Sequence, residues 1–184
     1  NVLQVALPTN FKAARFSSEE HTAILRQMQA DIEAVRYDTG DGAIELPVKL
    51  KVHESIFVPL AKWCMLIAGN YRCIQQDGMR SIKEAVHSDI DFSRSVYDWV
   101  AELCRDLGAE VADQVPFEKY ANAANGLTNP SSAARALFGG MPYIERVDCL
   151  VKTIAAQRGK HLDIIDDTVD LVDARLEMNR KAAT

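Results

Sequence analysis

The chain has no run of apolar residues approaching the roughly 18 needed to cross a bilayer. It also has no basic stripe of the kind that tracks a phosphate backbone, and no acidic tail. Its 21 basic and 26 acidic side chains are interspersed, for a net charge of −5. Membrane insertion and nucleic-acid binding are therefore not expected. Nor is a secretory signal. Cysteine is sparse: Cys64, Cys73, Cys104 and Cys149 are never spaced C-x-x-C, and His21, His53, His87 and His161 stand singly. A zinc site needs clustered Cys and His, so no metal is expected. The cysteines read as buried free thiols of a reducing cytoplasm. A dinucleotide loop is missing too. Gly40-Asp41-Gly42 lies between strand-like runs and lacks the following glycine and helix, and no strand precedes Gly139-Gly140.

What is present is ordinary globular material, 48% hydrophobic and 26% charged over 184 residues, enough for one domain or one domain plus an appendage. The first residue is Asn1, so the chain is read as a fragment, a processed product or, as the preferred reading, a piece expressed by design. Val2 to Leu7 reads as a strand closed by Pro8. Ser17 and Glu20 form an S-x-x-E capping box, and Ala23, Ile24, Met28 and Ile32 share one face of a helix over about 18–33. Val35 to Asp38 is strand-like. After the glycine turn, Ile44, Leu46, Val48, Leu50 and Val52 alternate with period two. Residues 1–52 thus read as a strand–helix–hairpin unit.

From residue 53 onward the pattern is helical. Phe57, Leu60, Ala61, Cys64 and Ala68 follow helical spacing, and a second helix is expected over Gly78 to His87. A third begins near Asp89 or Asp91 and stops at Gly108. Pro116 suits the first turn of a short helix reaching Asn125. Asn129-Pro130 reads as an N-cap and first helical residue, with Gly139-Gly140 as the stop. Pro142 is expected to open the next helix, ending at Gly159. The last runs from about Leu162 to Arg180, with Ile164, Ile165, Val169, Val172 and Leu176 inward. The fold class is mainly α.

Two groups of residues have chemical potential. Val58, Lys62, Leu66 and Asn70 are spaced by four, so they drift slowly around one helix face. A lysine and a carboxamide about 12 Å apart along the axis can address one small molecule. A partly desolvated lysine is a good proton donor to a carbonyl being reduced. The plainer reading is that Lys62 lies along the surface and Asn70 caps a helix after Gly69. The second group is Asn129-Pro130-Ser131-Ser132. Hydroxyls at a helix N-terminus can hold a carboxylate, or Asn129 and Ser131 can simply cap.

The order of these features resembles the C-terminal half of the ketopantoate reductase family, whose helical domain opens with W-x-K-x-x-x-N-x-x-x-N. Lys62 matches the lysine and Asn70 the second asparagine, while Leu66 stands where the first asparagine would be. Ser132 matches the second of the family's two serines, and Val147-Asp148 matches an Ile-Asp pair that follows a glutamate. Arg146 occupies the glutamate's place, with Glu145 beside it. The resemblance spans about residues 53–184 and extends faintly into 1–52.

The resemblance implies a multi-helix C-terminal dehydrogenase domain, similar to that of 6-phosphogluconate dehydrogenase, over residues 53–184. Residues 1–52 would be the end of a nucleotide-binding domain. It implies a cytoplasmic, homodimeric enzyme that reduces a 2-oxo acid with NADPH, the nucleotide being held by a domain this chain does not contain. No cofactor is expected in the chain alone. Lys62 would be the general acid, Asn70 an orienting amide and Ser132 a carboxylate ligand. Arg146, if it faces the pocket, would favour a second anionic group on the substrate. Leu66 and Arg146 depart from the family pattern and put ketopantoate itself in question. Two other readings stand beside this one: a helical dimerisation module without an active site, and the helical domain of a related polyol or sugar-acid dehydrogenase.

Overall fold

A computed structural model describes residues 9–183 of the chain. Contacts divide it into two compact units, one ending at Pro59 and the other starting at Leu60. The strand expected over Val2 to Leu7 lies outside the described residues.

In the first unit, β1 (Thr9–Ala14) pairs with β4 (Val48–His53), and β2 (Arg36–Asp38) with β3 (Ala43–Glu45). The period-two run over 44–52 does not form one arm of a hairpin. It breaks at Leu46-Pro47, because proline has no N–H for a ladder. β3 closes an antiparallel hairpin across the glycine turn, where the Thr39 N–H and hydroxyl both donate to the Gly42 carbonyl. β4 instead lies parallel to β1, in register from Thr9 opposite Val48 to Ala14 opposite His53.

Helix α1 (Glu19–Ala34) follows β1 and packs on β4. Its cap is Ser18 rather than Ser17: the Ser18 hydroxyl accepts from the His21 N–H. Thr22 decides this register. Fully buried, it accepts from the Phe16 N–H and donates to the Ser18 carbonyl, so the chain enters the helix one residue later. The face expected to turn inward does not: Ile24 is 57% exposed and Met28 48%.

The second unit is helical. A continuous run starts as α2 (Ala61–Met65), widens into a π turn (Leu66–Asn70) and ends as a 3₁₀ turn (Tyr71–Cys73). It packs against α3 (Ile82–His87), α4 (Ile90–Asp106), α6 (Ser132–Phe138) and α7 (Val147–Gln157). α5 (Phe117–Ala124) covers α3 and α4, and α8 (Asp163–Ala182) covers α6 and α7. Cys64, Ala68, Cys73, Val86, Val100, Leu103, Leu137, Val151 and Val172 are at most 1% exposed. Fully burying a Val- or Leu-sized side chain contributes roughly 1.5–3 kcal/mol, so these positions dominate the unit's stability.

Most helix ends follow local chemistry. Ser81 and Glu84 make a reciprocal capping box for α3, Asp89 caps α4, and Gly108 at φ 113° ends it. Other boundaries differ from expectation, and α3, expected from Gly78, starts only at Ile82. Asn70 does not cap a helix; it sits at φ −61°, ψ −46° and the helix continues through it. Ser131, not Asn129, caps α6, accepting from the Ala134 N–H. α7 begins at Val147 rather than at Pro142. The intervening residues hold their polar groups tertiarily instead: Asn179 donates to the Met141 carbonyl, Arg180 to that of Pro142, and the Tyr71 hydroxyl to that of Glu145. Cys64, Cys73 and Cys104 are buried free thiols, while Cys149 is half-buried. No helix among the described residues is long and apolar enough to cross a membrane.

The π turn places Gly69 against Tyr120. A Cβ there would lie 1.7 Å from the Tyr120 hydroxyl oxygen, which donates to the Met65 carbonyl at 3.2 Å. Gly69→Ala is therefore expected to destabilise the protein by about 1–3 kcal/mol through overpacking, measured by urea unfolding. Adding Tyr120→Phe, which removes the colliding oxygen, should recover part of the loss. An unchanged unfolding midpoint in Gly69→Ala would show that the two do not meet.

Candidate functional site

Three of the four residues singled out from sequence lie around one turn. Asn70 ends the π turn, and its carbonyl accepts from the Ser131 hydroxyl at 2.7 Å. That bond seats the first turn of α6 beside Asn70 and places Ser132, exposed, as the first residue of that helix. The next residue, Tyr71, is 3% exposed. Its hydroxyl accepts from the Val147 N–H at 3.0 Å and donates to the Glu145 carbonyl, fastening the start of α7 and so the position of Arg146. Burial, then the nearby Asp148 charge, push the Tyr71 hydroxyl well above the ordinary phenol range, so it stays protonated and able to donate.

Lys62 is the second residue of α2 and solvent-exposed. Eight residues along an unbroken α-helix would carry Asn70 about 80° around the axis from Lys62. The π turn lies between the two. Its i→i+5 bonding, seen where the Tyr71 N–H reaches the Leu66 carbonyl, winds more slowly and reduces that offset. Single π turns inside α-helices are frequent at functional sites.

Arg146 has partners of its own. Its guanidinium grips the carboxylate of Asp148, which is 0% exposed, with Nε 3.0 Å from one oxygen and Nη2 2.9 Å from the other, while Nη1 bonds Asp173. Burial works against the Arg146 charge, but the hydrogen bonds to Asp148 and Asp173 outweigh it and raise its pKa further. The Arg146 charge thus already has two carboxylates of its own chain. Its evident task is to let Asp148 be buried in the first turn of α7, where a negative charge suits the helix dipole.

Two further residues around this turn carry roles that the sequence reading did not assign. Ser131 bridges α6 to the π turn. Arg72 is 8% exposed, yet charged. It donates to the Ser93 hydroxyl and lies 4.8 Å from the Phe92 ring centroid. A visible signal existed for Arg72: it is the only charge between Lys62 and Asp77, in a stretch otherwise apolar enough to be core. Among the described residues, no cluster of His, Cys, Asp and Glu is arranged to hold a metal ion.

No protein-family model matches the chain, and neither curated proteins nor solved structures yield a match.

Two substitutions separate the parts of this junction. Arg146→Met leaves the Asp148 carboxylate buried with no Arg146 guanidinium. The cost should be about 3 kcal/mol, the low end for a broken buried pair because Arg146 is partly solvated, and Arg146→Met/Asp148→Asn should recover most of it. Tyr71→Phe should cost about 1–2 kcal/mol through the unpaired Val147 N–H and Glu145 carbonyl. Both are read from denaturant midpoints. A double variant no more stable than Arg146→Met alone would rule out the buried-charge explanation.

Proposed function

We propose that this chain is the substrate-side helical domain of a ketopantoate-reductase-like oxidoreductase, with the end of its nucleotide-binding domain attached. It acts in the cytoplasm as a homodimer. The observation that carries the proposal is the π turn at Leu66–Asn70, set between the lysine and asparagine of the family pattern and buttressed by the serine pair through Ser131 and Asn70. In this reading Lys62 polarises the oxygen of a 2-oxo acid and protonates it as hydride arrives. Asn70 orients the carbonyl, and Ser132 holds the carboxylate at the start of α6. NADPH is bound by a domain outside this chain and supplies the hydride.

The first unit supports the same reading. β1 and β4 are parallel strands with α1 between them in sequence, and parallel pairs occur almost only inside larger sheets covered on both faces. Here Phe11, Phe16, Ile24, Met28 and Ile44 remain about half exposed or more. Such a surface fits the edge of a bigger α/β sheet.

A second reading rests on a different surface. Cys149, Lys152, Thr153, Ala156, Gln157 and Val169 line an open hollow of about 640 Å³ between α7 and α8. Leu150, three residues from Thr153 on the same helix side, is 46% exposed. This face suits helix-to-helix dimerisation without any catalytic role.

The readings part on ligand binding and kinetics. The isolated chain should bind NADPH more weakly than about 10 µM, roughly 7 kcal/mol on the affinity scale; tighter binding by calorimetry would overturn the assignment of the nucleotide to another domain. In protein carrying that domain, Lys62→Ala should lower kcat by about 10²–10⁴-fold, as for loss of a general acid. Ser132→Ala should instead raise KM, by the roughly 1.5–3 kcal/mol of a charge-assisted hydrogen bond. If Lys62→Ala leaves kcat intact, the lysine is not the proton donor. If neither substitution touches activity while Leu150→Glu abolishes a dimer, the second reading replaces the first.

A further inference from the structure

Arg72 is a buried cation without an ion-pair partner among the described residues. Its Nη1 donates to the Ser93 hydroxyl at 2.5 Å and, at 3.4 Å, to the Ala68 carbonyl. Nε and Nη2 have no partner among the described residues, and neither Arg72 nor Arg80 forms an ion pair there. Arg80 is tied to the same turn: its Nε donates to the Arg72 carbonyl at 2.9 Å, its Nη1 to the Ser88 hydroxyl, and its own N–H to the Cys73 carbonyl. Two guanidinium-bearing side chains are thus built into one short stretch of backbone. Burial, and then the Arg80 charge, hold the Arg72 pKa below the usual arginine value. The fold therefore sets a largely buried arginine beside a second one at the wall of an open cavity, where an anion would be attracted by both.

The space for one exists. Arg72 and Arg80 line a cavity of about 350 Å³ together with Gln75 and Phe92, facing Ile164 and Asp167 of α8. Its size suits a small metabolite, and its mixture of apolar wall and convergent polar groups is typical of ligand pockets. The Arg72 guanidinium carbon lies 4.8 Å from the Phe92 ring centroid, a cation–π contact at the cavity wall. Gln75 adds a carboxamide that has no partner among the described residues. Asp167, exposed on the opposite wall, disfavours a ligand that is anionic throughout.

We propose that this cavity binds a small molecule by an oxyanion head, a phosphate or a carboxylate, seated between Arg72 and Arg80, with an apolar body against Phe92 and Ile164. A guanidinium fork matches either head, often in bidentate fashion. The inference does not rest on the reductase reading, because Lys62, Asn70, Ser132 and Arg146 do not line the cavity.

The test is titration calorimetry of the chain at low ionic strength with inorganic phosphate and, separately, with isovalerate, each against chloride at matched ionic strength. At least one should bind with a Kd below about 1 mM, and chloride should not reproduce the effect. Tighter phosphate points to a phosphorylated ligand, and tighter isovalerate to an organic acid. Arg80→Gln, at a half-exposed position, should fold and weaken binding at least tenfold. Arg72→Met should weaken it further, and Arg72→Lys serves if Arg72→Met does not fold. The proposal is overturned if neither probe binds below that concentration, if chloride matches both, or if Arg80→Gln and the folded Arg72 variant bind as the unsubstituted chain does.

Discussion

The helical unit depends on how the buried run from Ala61 to Cys73 disposes of its polar groups. It lies among α3, α4, α6 and α7, so side chains from other elements must satisfy whatever its own ladder leaves over. The π turn leaves the Met65 carbonyl to the Tyr120 hydroxyl, the Asn70 carbonyl to that of Ser131, and the Arg72 carbonyl to Arg80. Tyr71 then reaches outward from the same turn and sets where α7 starts. Each bond is worth about 1 kcal/mol net, but leaving one of these buried groups unpaired costs more. Neighbouring helices are thereby locked to a single register on the central run.

The same economy explains the charged residues in the interior. Asp148 is tolerated at 0% exposure because Arg146 grips both its oxygens and the helix start favours its charge. Arg72 is the contrasting case. It has a hydroxyl and a ring for company but no carboxylate within ion-pair reach among the described residues. A paired buried charge and an arginine without a carboxylate among the described residues thus sit on either side of Tyr71.

Much of the candidate site was legible as a list and not as a geometry. Lys62 and Asn70 stand out by spacing, and Ser131-Ser132 by their place before a helix. Spacing alone treats Leu66–Asn70 as ordinary α-helix and does not show the π turn or the close packing of Gly69 on Tyr120, 51 residues away in the chain. Asn129 reads as the cap of α6 from sequence, whereas tertiary structure gives that place to Ser131, whose hydroxyl also reaches the Asn70 carbonyl. Whether Arg146 faces a pocket is not legible in the sequence, because one of its two carboxylate partners, Asp173, lies on a different helix from Asp148.

By itself the sequence determined the mainly helical class, the existence of each helix, and ends set by local chemistry, such as the stop at Gly108. Apolar periodicity, caps and glycine stops act over a few residues, and no distant contact is needed to read them. Tertiary structure alone decided the parallel pairing of β1 with β4, the late start of α7, the π turn and the burial of Arg72. Each of these turns on a polar group whose partner lies far away in the chain, and a buried donor or acceptor takes whichever partner the packed fold brings within reach.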